Sequence, residues 1–272
     1  MAIETATSNA VDATFAHLKA QGRLAFVPYV TAGYPDTPTS LAIGILLARH
    51  GADILEVGIP FSDPLGDGPT IQRTSSVALA GGMTVKGALS LAADLAASAG
   101  KPVVMMGYFN PILRHGLERF CADAAAAGVC GLIVPDLPVE ESDELLAHCR
   151  AHNLHLIYLL APTSTEERIA GVAARASGFI YCMAVAGVTG ARADLAADLA
   201  PFLARVRERT PLPLVVGFGI SRPEHLQRLR GLADGAVVAS ALIDLLDATP
   251  EAEREREVGG YVERMSVACS AS

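Results

Sequence analysis

The sequence predicts an α/β protein of the (β/α)8 TIM-barrel class, and three observations carry that expectation. Short Val/Ile/Leu-rich runs alternate with longer Ala/Leu-rich segments whose charges recur at helical spacing, separated by Gly, Pro, Asp or Ser. The runs are apolar throughout, which means burial on both faces and therefore a parallel sheet. Eight such units in 272 residues match a closed barrel, whereas a doubly wound open sheet more often stops at about five to seven strands. With 51% hydrophobic and 18% charged residues the chain has material for one large core, and residues 1–272 are expected to form a single domain.

In chain order the strand runs are LAFVPYV (24–30), DILEVGI (53–59), PVVMMGY (102–108), GLIVP (131–135), HLIYLL (155–160), FIYCMA (179–184), PLVVGFGI (213–220) and GAVVAS (235–240). Helical patterns follow them, among them TSLAIGILLARHG, VEESDELLAHCRAHN and PEHLQRLRG, often closed by Gly or Asn where a left-handed cap is wanted. Extra helices are expected at the N-terminus, after the second strand and near the C-terminus. The second of these, TIQRTSSVALAGG, precedes the main helix TVKGALSLAADLAASAG; the Glu/Arg-rich stretch 250–257 reads as a solvated helix.

Several function classes are excluded. The net charge is −8 and no Lys/Arg cluster marks a nucleic-acid or membrane-surface site, so the expected ligand is a small molecule. No apolar run approaches the roughly 20 residues that span a bilayer. The opening stretch MAIETATSNAVDATF lacks a basic region followed by an apolar one, so the expectation is an unexported, cytoplasmic chain. Five cysteines, at 121, 130, 149, 182 and 269, without a CxxC, read as reduced thiols.

The segment EVGIPFSDPLGDGP (56–69) raises the chemical question, because it puts Glu56 inside an apolar strand and Asp63 and Asp67 just beyond it. Side chains alternate along a strand, so Ile54, Glu56 and Gly58 share one face while Leu55, Val57 and Ile59 share the other. With the apolar trio on the helices, Glu56 points into the barrel near the strand C-termini, where such folds hold their sites. An unpaired carboxylate there has its pKa pushed toward neutrality, the range of a general acid or base; a buried ion pair is the structural alternative. Asp63 and Asp67 precede Pro and Gly, ordinary turn chemistry, but their loop can bring Asp67 back over the mouth.

Further signals lie in the second half. GFGIS (217–221) and ASA (239–241) end the seventh and eighth strands before helices, the usual barrel phosphate site; Gly219 allows close approach and Ser240 offers a hydroxyl, although a cap or turn also explains each glycine. AGVTGAR (186–192) has the composition of a lid. Tyr29, Tyr108, Tyr181 and Phe218 fall near strand ends, as a slot for a flat ligand or as core. His148 and His152 at i, i+4, with Cys149 and His155 nearby, lack a Glu base and sit on an outer helix, so no metal site is expected. No GxSxG elbow or P-loop is present, and Lys19, Lys86 and Lys101 lie off the strands, leaving no Schiff-base lysine.

Taken together, FVPYVTAGYP, LEVGIPFSDPLGDGPTIQ, PDLPVEES, GVTGAR and GFGIS resemble the α-subunit family of tryptophan synthase over residues 13–245, in the family's order and spacing. The resemblance implies a (β/α)8 barrel that cleaves indole-3-glycerol phosphate to indole and glyceraldehyde 3-phosphate, with no cofactor or metal of its own. It also implies a pyridoxal-phosphate β subunit as partner in an α2β2 assembly. Carried over by position, it makes Glu56 the acid/base and Asp67 the partner of the indole N–H. Tyr29, Met106, Tyr181 and Phe218 fall in the indole slot; Gly190, Gly219, Ala239 and Ser240 fall in the phosphate loops. Thr189 is the lid residue that meets the aspartate, and Asp63 and Pro64 face the β subunit. Two positions depart from the pattern. Val185 replaces an arginine of many members, which loosens the lid, and Ala239 replaces a glycine, which crowds the phosphate if its φ is positive. A free-standing indole lyase, a purely allosteric partner of the β subunit and another phosphosugar enzyme on the same barrel are the alternatives.

Overall fold

A computed structural model describes residues 8–184, 198–217 and 219–270. Among these, nine parallel strands form the sheet: β1 (Ala25–Thr31), β2 (Leu55–Gly58), β3 (Val103–Met106), β4 (Val129–Ile133), β5 (His155–Ile157), β6 (Leu159–Leu160), β7 (Ile180–Met183), β8 (Leu214–Gly217) and β9 (Gly235–Val238). Their order is β5-β4-β3-β2-β1-β9-β8-β7-β6, so the first and last neighbours are consecutive in the chain and the sheet curls into a barrel.

The expected eight runs become nine because HLIYLL is not one strand. Its first half pairs with β4, Ile133 opposite Ile157, and its second half pairs with β7, Leu159 opposite Tyr181. Between them the Tyr158 carbonyl accepts the Tyr181 N–H at 3.0 Å. The Tyr158 side chain turns outward, where its hydroxyl is 2.7 Å from that of Ser142. An apolar run reports burial on both faces; it carries no information about which neighbour each half bonds. That break is what closes the barrel. The fourth strand also starts earlier than expected, at Val129.

Twelve α-helices surround these strands among the described residues. The N-terminal α1 (Ala10–Ala20) starts in a capping box in which Asn9 accepts the Val11 N–H and Asp12 accepts the Asn9 N–H. After β1 comes α2 (Thr37–His50), capped by Asp36. The elaborated connection after β2 holds α3 (Pro69–Ala80), whose first residue is the proline favoured there, and then α4 (Val85–Ala99), capped by Thr84. The remaining helices are α5 (Phe109–His115), α6 (Leu117–Ala126), α7 (Asp143–Ala151), α8 (Glu166–Arg175), α9 (Leu199–Arg207), α10 (Pro223–Leu229), α11 (Ser240–Ala248) and α12 (Arg254–Cys269). The solvated helix expected at 250–257 is present, with residues 251–257 helical and largely exposed. Residues 251–253 make a short 3₁₀ turn, and α12 buries Val258, Val262, Met265, Ala268 and Cys269 against the barrel's outer layer. Beyond that charged, exposed first turn the apolar residues of α12 recur at helical spacing.

Strand alternation sorts the core into two layers. Leu55, Val57 and Ile59 pack outward with the helices, while Ile54 joins Val27, Tyr29, Val104, Ile133, Tyr181, Val215 and Val237 inside the barrel. Val11, Phe15 and Leu18 of α1 plug the bottom of that interior, with Phe15 and Phe179 centroids 5.6 Å apart. Each such fully buried aliphatic or aromatic side chain contributes about 1.5–3 kcal/mol. At the top, the β1–β2 register sets Tyr29 beside Glu56.

Candidate active site

Glu56 points into the barrel and is 1% exposed. Its Oε2 accepts no hydrogen bond from the described residues. A carboxylate without solvent or partner resists ionisation, and burial, followed by the charge of Asp67, pushes Glu56 up to about 8. Asp67 lies in the loop between β2 and α3, half-buried. Burial raises it to about 6, against the opposing hydrogen bond from the Tyr108 hydroxyl. At neutral pH the two acids therefore differ: Glu56 holds its proton and Asp67 has mostly lost its own.

Rings crowd the same mouth. Burial, then Asp67, and more weakly Glu56, hold the Tyr29 phenol above its ordinary value; Tyr181 is raised by burial and by the same two carboxylates. Both fit because their neighbours lack side chains: a Cβ on Gly58 would sit 1.9 Å from the Tyr29 hydroxyl, and one on Gly217 would sit 2.2 Å from that of Tyr181. Met106 ends β3 and packs partly buried against this interior cluster. Tyr108 was legible as an aromatic at a strand end, but not as the support of Asp67. It bonds the Asp67 side chain and accepts the Gly66 N–H at 3.0 Å, stiffening the loop from across the strand, and it stacks on Phe61.

On the far side of the mouth, Gly219 follows β8 with φ +82°, a conformation glycine adopts without strain, and a Cβ there would meet nothing. The loop is held from beneath by two residues the motif reading missed. The Ser221 N–H donates to His225 Nδ1 at 3.2 Å, and the Tyr261 hydroxyl of α12 donates to the Ser221 carbonyl at 3.0 Å. Burial, with Arg222 and Arg228, holds His225 below the ordinary imidazole value, so a neutral ring does the accepting. The His225 bond is made four residues along the chain, whereas the Tyr261 bond crosses 40 positions and has no local signature. Ser240 opens α11, and Ala239 before it has φ −120°. Crowding of the phosphate was expected only if φ were positive, and that condition is not met here.

Asp63 and Pro64 lie in the same loop as Asp67, and Leu65 beside them is 92% exposed. Val185, Thr189, Gly190 and Phe218 lie outside the described residues. The histidine cluster of the sequence disperses: Cys149 is buried facing Cys121, and His155 Nε2 is 2.8 Å from Asp12.

The chain matches the family model described as tryptophan synthase alpha chain over residues 15–269. It is 48% identical over 253 residues to the tryptophan synthase alpha chain of Chloroflexus aurantiacus, covering 93% of this chain and 95% of that one. It is 52% identical to that of a Roseiflexus species over 241 residues, 88% and 92% of the two chains. The chain belongs to the tryptophan synthase alpha chain family. Among solved structures, Mycobacterium tuberculosis tryptophan synthase superposes with a TM-score of 0.91 at 35% identity, over 97% of this chain and 100% of that chain. The tryptophan synthase alpha subunit of Legionella pneumophila gives 0.88 at 34% identity, over 97% and 99%. Among the described residues no single helix is long and apolar enough to cross a membrane.

Proposed function

We propose that this chain cleaves indole-3-glycerol phosphate to indole and glyceraldehyde 3-phosphate, with Glu56 as acid/base and Asp67 as the partner of the ring nitrogen. The observation that supports it most is the divided protonation of the pair, Glu56 raised to about 8 and Asp67 only to about 6. The protonated Glu56 delivers its proton to indole C3, which leaves positive charge on the ring nitrogen. Ionised Asp67 stabilises that charge through the N–H. Glu56, now a carboxylate, takes the proton of the adjacent glycerol hydroxyl. The carbon–carbon bond breaks, its electrons return to the ring, and the hydroxyl carbon becomes the aldehyde. Glu56 ends as it began, protonated, so the cycle needs no cofactor.

In this reading Tyr29, Met106, Tyr181 and Phe218 flank the indole, and Gly190, Gly219, Ala239 and Ser240 surround the phosphate. Thr189 reaches Asp67 from the lid. The 272 residues act as one barrel domain in the cytoplasm. The exposed loop with Asp63 and Pro64 meets a β subunit that carries pyridoxal phosphate, in an α2β2 assembly.

The test is indole release from indole-3-glycerol phosphate by the purified chain, alone and with β subunit. Glu56→Gln is expected to lower kcat by about 10²- to 10⁴-fold. Release at the unmodified rate would remove Glu56 from the mechanism, and no release by the unmodified chain in either condition would leave it a regulator only.

A further inference from the structure

Two helices frame the mouth, and they are tied together by groups that touch neither carboxylate. Helix α3 begins two residues after Asp67, and Gln72 Nε2 donates to the Asp67 carbonyl at 2.8 Å, so Asp67 moves with α3. Helix α11 begins at Ser240. Ile71 of α3 and Ile243 of α11 both enter the barrel's interior cluster, which joins the helices on their apolar sides. Outside, two rungs join them at matching i, i+3 spacing. Thr70 Oγ1 donates to Asp244 Oδ1 at 3.2 Å, and Arg73 Nη2 pairs with Asp247 Oδ2.

The second rung is reinforced by Tyr34, in the segment after β1. Its hydroxyl accepts from Arg73 Nη1 at 2.8 Å and donates to Asp247 Oδ1 at 2.5 Å, and the Arg73 guanidinium lies 5.6 Å from the ring centroid. One more bond, between the buried hydroxyls of Thr74 and Thr31 at 2.8 Å, pins α3 to the end of β1. These contacts fix α3 against α11 in two directions, along the helices through the paired rungs and across them through Tyr34.

We propose that the ladder Thr70–Asp244 and Arg73–Asp247, braced by Tyr34, sets the distance between the Asp67 end and the Ser240 end of the site, making Arg73 and Asp247 positioning residues for a ligand that spans both. The inference rests on the functional reading above, in which the indole nitrogen sits at Asp67 and the phosphate near Ser240. A substrate with a heterocycle at one end and a phosphate at the other binds through both ends only when their separation matches its own length. Slack between α3 and α11 weakens a spanning ligand and leaves each half-ligand unaffected. A general loss of structure weakens all of them.

That difference is the experiment. The chain contains no tryptophan, so the fluorescence of an indole ligand reads occupancy directly. Three probes are titrated into the full chain: indole, glycerol 3-phosphate (followed by calorimetry), and a non-reactive indole carrying a three-carbon phosphorylated tail. In Arg73→Gln and in Asp247→Asn the spanning probe is expected to bind about three- to fivefold more weakly, the range open to a partly exposed ionic network, with both fragments unchanged within twofold. The charge-exchanged double variant Arg73→Asp/Asp247→Arg is expected to recover at least half of the loss. Unchanged affinity for the spanning probe, equal weakening of all three probes, or no recovery in the double variant overturns the ladder. Failure of the unmodified chain to bind the spanning probe overturns the functional reading and the ladder with it, which separates the two.

Discussion

The two ends of the barrel treat buried charge in opposite ways. At the bottom, Asp53, Asp234 and Asp12 near the strand starts are each matched. Asp53 accepts from Arg23 at 3.0 Å and from the Phe26 N–H at 2.9 Å. Asp234 accepts the Leu214 N–H at 2.7 Å and pairs with Arg207. Asp12 is bonded by His155 and by the Asn9 N–H; burial pushes it up, but those bonds outweigh burial and leave it below the usual carboxylate range. At the top, Glu56 is more deeply buried than any of these and Oε2 has no such partner. One core therefore carries two designs. Paired acids tie loops to strands at the bottom, and at the top burial keeps the Glu56 proton on near neutral pH.

The largest expected effect strikes the bottom. Asp53→Ala leaves Arg23 half-buried without its partner and the Phe26 N–H unpaired, and is expected to cost about 3–5 kcal/mol in denaturant unfolding. Indole release per folded molecule is expected to stay unchanged; a matching loss of kcat would mean that the two ends are not separable.

The next concerns Glu56 and stability. Its folded value of about 8 exceeds the ordinary 4.5, so between those limits the folded chain holds a proton that the unfolded chain has released. Stability falls as pH rises through that window: the penalty is absent below about 4.5 and complete above about 8. Glu56→Gln is therefore expected to stabilise the chain by on the order of a few kcal/mol at pH 8.5 and by little at pH 5, the sign opposite to Asp53→Ala. Melting curves at both pH values check it, and no gain at pH 8.5 would mean that Glu56 is satisfied in solution.

The same pair predicts a bell in kcat/KM. Activity rises as Asp67 ionises, near pH 6, and falls as Glu56 loses its proton, near pH 8, both as apparent values of the coupled pair. A flat profile between pH 5 and 9 would break the assignment. The smallest effect is expected from Tyr108→Phe, which removes the hydroxyl that holds Asp67 down. It should move the acid limb upward by the equivalent of about 1 kcal/mol, roughly threefold in kcat/KM at pH 6, with a smaller loss at pH 7.5.

Much of this was legible in the chain. The inward aim of Glu56 followed from alternation once Leu55, Val57 and Ile59 were assigned to the helices, and those three do lie in the outer layer. Asp67 was nameable because its loop leaves the same strand. Tyr108 was visible as a ring at a strand end, but its bond to Asp67 crosses 41 positions of sequence and has no pattern to announce it. His225 and Tyr261 read as ordinary helix residues; the His225 bond to Ser221 is local to the start of α10, but the Tyr261 bond crosses 40 positions and exists only because α12 packs beside that loop. The strand run 155–160 looked continuous because both halves are buried; only the neighbours reveal that it is two.

The sequence by itself determined the repeated βα units, the buried acid on the second strand and the family resemblance, because periodicity, burial and motif spacing are local properties that the chain carries wherever it folds. Tertiary structure alone decided where the barrel closes, which carboxylates find partners and how α3 is braced against α11. Those outcomes depend on which distant groups meet, and a pKa is set by the solvent and charge around a carboxylate, which exist only once the barrel has assembled.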